Sequence, residues 1–258
     1  MGGFGGGRRR FKSPLKRLAS VTAQRGLMKP ALNSVINVHV SGTELLTGVE
    51  EPFLLVANHS SHFDGPLLVT TLPPKLSKKI ATGAAADYFF TNRFSAATVE
   101  LFMNAYPVNR GSTRSHRGMS KQLLNDGIPL MIFPEGTRSR TGAMGSFSPG
   151  TAALAISFNC QVIPAALVGA SAAWPAGHKR WMSGRPDVYV TYGNPLRPLP
   201  GEVAHAFSER IRRKVIELHD STALAYNMPT QIEMANLAAL EAGPKGKKQA
   251  AKKKKKRA

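Results

Sequence analysis

The sequence predicts an α/β protein: a single layered domain with a mostly parallel or mixed sheet flanked by helices, preceded by a basic amphipathic segment and followed by a disordered basic tail. Three observations carry that expectation. Short aliphatic runs alternate with stretches of helical period between residues 33 and 242. The 258 residues are 42% hydrophobic and 19% charged, a balance that buries a core and excludes a disordered chain. One cysteine, Cys160 in the apolar stretch FNCQVIP, excludes an intrachain disulfide framework and a Cys-based zinc site, so burial must hold the fold.

Taken in order, residues 1–12 form a Gly/Arg-rich arm. Residues 14–32 (PLKRLASVTAQRGLMKPAL) set Leu15, Leu18, Val21 and Leu27 among bases at near-helical spacing, interrupted by Gly26 and Pro30. That pattern suits a helix lying on a membrane, and equally a solvated helix packed on the core. Residues 1–32 are therefore set apart from a domain spanning 33–242. VINVHVSG (35–42) and FLLVAN (53–58) read as strands joined by a turn, HSSHFDGPLLVTTL (59–72) as a loop entering a helix, and IATGA (80–84) as a strand. A helix at 93–104, a strand at 105–110, a helix at 114–125 and the strand PLMIF (129–133) follow. PEGTRSRTG is a loop, TAALAISF (151–158) a helix, and QVIPAALVG and DVYVTYG are strands. Over 202–219, Val203, Phe207, Ile211, Val215 and Leu218 recur at helical steps. The low-complexity end, 243–258, is expected to be a disordered polybasic tail.

The charge is +20, from 35 Lys and Arg against 15 Asp and Glu, and it sits at the ends. Residues 1–30 hold eight bases and 243–258 hold nine, with no acid in either, so the middle carries only +3. Two basic arms attract polyanions, either nucleic acid or an anionic membrane face. No apolar run is long enough to span a bilayer and no signal peptide opens the chain, so the protein reads as staying inside the cell. The loop AAWPAGHKRWMSGRP (172–186) sets Trp174 and Trp181 beside Lys179, Arg180 and Arg185, a composition that suits a membrane interface.

Three strand exits carry polar clusters: Asn58 to Asp64 after FLLVA, Asn109 and Arg110 after AYPV, and Pro134 to Ser139 after LMIF. Strand ends and their loops form the ligand crevice of open α/β sheets, so the three are expected to meet. His59 and Asp64, five apart, would face different ways on a continuous helix. If Ser60 or Ser61 caps a helix, a turn can fold the imidazole back to the carboxylate, which fixes the tautomer and leaves Nε2 as a base; plain capping and packing is the other reading. His62 raises a metal alternative with His59 and Asp64, but the other histidines form no second cluster at ligand spacing, so no metal is expected. In FPEGTRS, Arg138 together with Arg110 suits a phosphate, and a surface turn or salt bridge is the plainer alternative.

NHSSHFD (58–64), YPVNRG (106–111), FPEGTRS (133–139) and VIPAAL (162–167) occur in the order and approximate spacing of the four motifs of the glycerolipid acyltransferases. Over about residues 35–220 the chain resembles that family, with the bacterial 1-acyl-glycerol-3-phosphate acyltransferases as the nearest type. It departs at Asn104, where members commonly carry Gly. The resemblance implies that His59 is the general base and Asp64 its orienter. It implies that Asn58, Arg110, Glu135, Gly136, Thr137 and Arg138 bind the acceptor, and that Val162, Ile163 and Pro164 line the acyl side. The implied reaction moves a fatty acyl group from acyl-CoA, or from acyl carrier protein, to a lysophospholipid, with no cofactor beyond that thioester. The implied setting is peripheral, on an anionic membrane surface at the cytoplasmic face. Another lipid or glycolipid acceptor is the alternative within the fold. Nucleic-acid binding through the arms is the alternative outside it, although a +3 core with no base-reading motif argues against a specific nucleic-acid partner.

Overall fold

A computed structural model of the chain describes residues 9–85, 92–108, 113–241 and 243. Arg110, the stretch 86–91 and all nine bases of the expected tail lie outside those residues. Seven strands, β1 (Asn37–Ser41), β2 (Phe53–Ala57), β3 (Ala81–Ala85), β4 (Ala105–Val108), β5 (Leu130–Ile132), β6 (Gln161–Val168) and β7 (Asp187–Tyr192), form one sheet in the order β1-β7-β6-β2-β5-β3-β4. β2 lies between β5 and β6 and is parallel to both. All five of its residues are buried, as expected for a continuous apolar run covered on both faces.

The sheet is mixed at one side. β7 runs antiparallel to β6, and β1 pairs with β7 in parallel. The strands expected over 35–42 and 53–58, consecutive in the chain, are therefore separated in the sheet by β7 and β6 and run in opposite senses. The periodicity of a strand names its buried side and carries no information about its neighbour.

Helices α1 (Pro14–Thr22), α2 (Lys29–Val35), α3 (Asp64–Thr71), α4 (Arg93–Met103), α5 (Thr113–Asn125), α6 (Pro149–Phe158) and α7 (Ala204–Ala225) complete the layers. Leu55, Ala57 and Ile163 pack with Leu67 and Leu68 of α3 on one face of the sheet. Leu54, Val56 and Val162 pack with Leu123 and Leu124 of α5 and with Phe207 and Ile211 of α7 on the other. Each fully buried aliphatic side chain contributes about 1.5–3 kcal/mol to this core.

Gly26 and Pro30 do not interrupt the N-terminal helix. A π-helical turn, Ala23–Met28, joins α1 to α2, and Lys29 N–H reaches back five residues to Gln24 O. The shifted register puts Pro30 in the first turn of α2, where its missing N–H is tolerated. The boundary drawn after residue 32 falls inside α2, and Leu32 is part of the core. Leu15, Leu18 and Leu27 point outward, with Leu15 77% exposed.

At the far end, Val203 leaves the expected apolar face: it is the N-cap residue of α7 and is exposed. His219 is buried on that face, α7 continues to Ala225, and 231–241 is helical as well. Asn104 ends α4 at φ +46°, the left-handed region that favours Gly and that Asn tolerates best among other residues. Its side-chain amide donates to Ile80 O at 2.9 Å. The departure from the family pattern is thus absorbed as a helix cap.

Candidate active site

The two polar clusters that lie wholly within the described residues, Asn58–Asp64 and Pro134–Ser139, meet at the carboxyl end of β2. Asn58, 2% exposed, donates through Nδ2 to Leu167 O at 3.0 Å and accepts from Leu167 N–H at 2.8 Å through Oδ1. It extends the β2–β6 ladder past its last backbone pair, so the amide expected on the acceptor is held by the strand backbone instead.

His59 leaves the strand next, and its backbone is held at both ends by the loop after β5. Its N–H donates to Glu135 Oε1 at 2.8 Å, and its carbonyl accepts from Ser139 N–H at 2.7 Å. Its ring stacks on Phe133 at 4.1 Å between centroids and 17° between planes. Nδ1 lies 2.7 Å from Asp64 Oδ2, with the His59 side chain 22% exposed and that of Asp64 fully buried.

The turn that achieves this differs from the one the sequence suggested. Neither Ser60 nor Ser61 caps α3; the N-cap is Phe63, and Asp64 is the first helical residue. Asp64 Oδ2 instead accepts from Ser60 N–H at 2.6 Å and Ser61 N–H at 2.7 Å. One carboxylate oxygen at a helix N-terminus gathers two loop amides and the imidazole, which brings residues five apart face to face. Ser61 Oγ accepts from Phe63 N–H and donates to Trp174 O, tying the turn to the Trp loop. The arrangement requires the Nδ1–H tautomer, since Oδ2 is an acceptor, and leaves the Nε2 lone pair available to take a proton.

Glu135 is placed differently from expectation. Besides His59 N–H, its carboxylate accepts Gly145 N–H at 2.9 Å through Oε2. Burial pushes its pKa up, and the two amides pull it part of the way back. Both oxygens are engaged with backbone, so Glu135 holds the His59 main chain against the loop after β5. Gly136 adopts φ +71°, a left-handed turn that a side chain would strain. Thr137 is exposed beside it, and Arg138 is half-buried.

Arg138 Nη1 donates to Nδ1 of His62, whose ring lies 4.7 Å from Trp174. Burial, then the Arg138 charge, lowers the His62 pKa below 6.5. Its Nδ1 is an acceptor here, so His62 is neutral and holds the guanidinium next to the His59–Asp64 turn. Among the described residues, no group of three or more His, Cys, Asp or Glu side chains stands together at metal-holding geometry.

Val162, Ile163 and Pro164, expected to line the acyl side, lie buried within β6. They pair with Leu54, Leu55 and Val56, upstream of the carboxyl end of β2 where His59 follows, and all three are buried in the sheet's interior. Parallel register puts only the last residues of β6 level with the site. The sequence also left Phe133, Ser139 and Gly145 without roles. Phe133 and Ser139 stand inside the FPEGTRS segment, whereas nothing local marks Gly145, ten residues past Glu135.

A family model described as Acyltransferase matches residues 37–168. The 1-acyl-sn-glycerol-3-phosphate acyltransferase LPAT1, chloroplastic, of Arabidopsis thaliana is 27% identical over 187 residues, 71% of this chain and 49% of the relative. The 1-acyl-sn-glycerol-3-phosphate acyltransferase alpha of Bos taurus is 21% identical over 64% of this chain and 57% of its own length. The chain thus spans about half the length of these relatives. The crystal structure of the 1-acyl-sn-glycerophosphate acyltransferase PlsC from Thermotoga maritima shares the fold, with a TM-score of 0.65 and 21% identity over 80% of this chain and 82% of that one.

Proposed function

The chain belongs to the Acyltransferase family, and on that premise we propose that it moves a fatty acyl group from a thioester of coenzyme A or acyl carrier protein to a free hydroxyl of a lysophospholipid. The acceptor proposed is 1-acyl-glycerol-3-phosphate, and the product phosphatidic acid. The observation that carries this reading is the 2.7 Å contact between His59 Nδ1 and the buried Asp64 at a strand end.

His59 Nε2 takes the proton of the acceptor hydroxyl as its oxygen attacks the thioester carbonyl carbon. The tetrahedral intermediate then expels the thiolate by breaking the C–S bond, and the thiolate takes the proton back from His59. Protons and bonds balance without a further cofactor. Asp64 holds the imidazole in the required tautomer and stabilises the imidazolium that forms between the two transfers. Arg138, handed from neutral His62 to the substrate, supplies two parallel N–H donors to the acceptor phosphate. Arg110 is proposed as its companion.

The substrates reside at a bilayer, and the surface supports peripheral docking there. Trp181 and Met182 are about half exposed, next to the exposed bases Lys179 and Arg180. Leu15, Leu18 and Leu27 add apolar surface along the N-terminal helical run. Among the described residues, no helix is long and apolar enough to cross a membrane. The anionic, cytoplasmic face of a membrane is the proposed location.

The test is thiol release from palmitoyl-CoA across a panel of lysolipid acceptors. His59→Ala is expected to lower turnover about 10²–10⁴-fold with the fold retained. Asp64→Asn should lose rate similarly through the wrong tautomer. Near-normal turnover in folded His59→Ala protein would reject the base assignment. Release that is faster with an uncharged acceptor than with lysophosphatidate would reject the phosphate acceptor.

A further inference from the structure

α1 is turned opposite to an ordinary surface helix. Leu15 and Leu18 face solvent, whereas Arg17 and Ser20 are partly buried and Gln24, in the π-helical turn that follows, is buried. Between that inner side and α4 lies a cavity of about 190 Å³, lined by Lys16, Arg17, Ser20, Ser77, Lys78 and, from α4, Glu100. We propose that this cavity binds the phosphate group of an anionic ligand, at a site distinct from the His59 centre.

Its charge is the first reason. Three cations line it against the single carboxylate of Glu100. Among the described residues, neither the Lys16 nor the Lys78 ammonium has a hydrogen-bond or ion-pair partner. Donors that lack acceptors are the second reason. Arg17 Nη2 donates to Phe11 O at 3.2 Å, but its Nε–H is buried with no protein partner, a state that protein interiors avoid unless a water or a ligand completes it. Ser77 Oγ accepts from Arg25 Nη2 at 3.2 Å, which leaves its own O–H to donate, and Ser20 brings a second hydroxyl. Cations, an orphaned guanidinium N–H and hydroxyls are the donor set that phosphate oxygens satisfy. The volume falls below that of pockets for drug-sized molecules, so the cavity takes a headgroup and not a whole lipid.

Position separates this site from the catalytic one. Ser77 and Lys78 precede β3 and Asn104 immediately precedes β4, which puts the cavity at the amino-terminal edge of the parallel strands. His59 follows the carboxyl end of β2, roughly 16 Å away along a five-residue strand. A phosphate held at Lys78 is therefore not the acceptor phosphate at Arg138. The phosphate can come from an anionic lipid headgroup in the bilayer that Leu15 and Leu18 would face, or from a soluble phosphate ester.

Calorimetric titration of the full chain at constant ionic strength tests this, with inorganic phosphate and dihexanoyl phosphatidate as probes. The titrations are made in the wild type and in Arg138→Ala, which weakens the acceptor site and leaves this cavity's lining unchanged. Saturable phosphate binding is expected to persist in Arg138→Ala and to weaken roughly tenfold or more when Lys16→Gln and Lys78→Gln, both exposed positions, are added. Arg17→Gln should weaken it comparably. Tighter binding of dihexanoyl phosphatidate than of phosphate, with the difference lost in the paired lysine substitutions, assigns the site to a lipid headgroup; equal lysine-dependent binding of the two assigns it to a soluble phosphate ester. Loss of all phosphate binding in Arg138→Ala, or binding unchanged by the paired lysine substitutions, overturns the proposal. Neither result bears on the role of His59.

Discussion

Replacing Glu135 by Gln separates a residue that binds the acceptor from one that positions the base. The wild-type carboxylate spans two backbone donors, His59 N–H at 2.8 Å and Gly145 N–H at 2.9 Å, one on each oxygen. Gln keeps the shape but has one oxygen, so one of the two amides meets an NH₂ group. Losing a hydrogen bond to a charged acceptor costs about 1.5–3 kcal/mol, and removing a carboxylate that burial disfavours returns part of it. A net loss of about 1–2 kcal/mol should lower Tm by roughly 2–8 °C at this chain length. Catalysis should suffer more, because His59 is carried by that backbone. A displacement near 1 Å costs on the order of 10²-fold, so kcat is expected to fall about 10–100-fold with KM for lysophosphatidate within about twofold. Steady-state thiol release over both substrates reads the two constants, and calorimetry reads Tm. A raised acceptor KM with unchanged kcat would refute the positioning role and restore the acceptor contact that the family resemblance implies.

Arg138→Ala should raise KM for a phosphorylated acceptor by roughly tenfold or more while leaving KM for acyl-CoA nearly unchanged; equal losses on both would assign Arg138 a structural role. His219, 1% exposed on α7, has its pKa pushed below 6.5 by burial against an opposing pull from Asp220. The unfolded chain therefore binds the proton first, and stability present above pH 6.5 is lost as pH falls toward the lowered folded value. Denaturant midpoints at pH 7.5 and 5.5 should show a smaller loss in His219→Gln than in the wild type; identical losses would exclude His219 as the source. Flotation with vesicles should favour anionic over neutral lipid and weaken with salt, and Trp181→Ala should reduce the salt-resistant remainder. Indifference to lipid charge would remove the docking model without touching the chemistry.

The elements were legible wherever local physics decides them. FLLVA is apolar throughout because both faces of β2 are covered, and Phe207, Ile211 and Val215 recur on one face of α7. The N-terminal run was misread at Gly26 and Pro30 because a π-helical turn, set by packing of Ala23 and Gln24 on the domain, has no local signature. Val162, Ile163 and Pro164 were placed on the acyl side by motif order. Their level along the sheet depends on the pairing of β6 with β2, which no single strand encodes.

By itself the sequence determined that this is an α/β protein with a near-neutral domain between basic ends. It also determined that His59 and Arg138 stand on loops that leave buried strands and that Asp64 lies where one such loop enters a helix, since alternation, helical period and turn composition act within a few residues. The tertiary structure alone decided which atoms meet. It turned Asp64 into the acceptor for two loop amides and the imidazole, and it spent Asn58 on Leu167. It also set Glu135 under the His59 backbone from a segment 76 residues later. Those contacts join groups far apart in the chain, and their geometry follows from strand order and register, which come from the packing of the whole sheet.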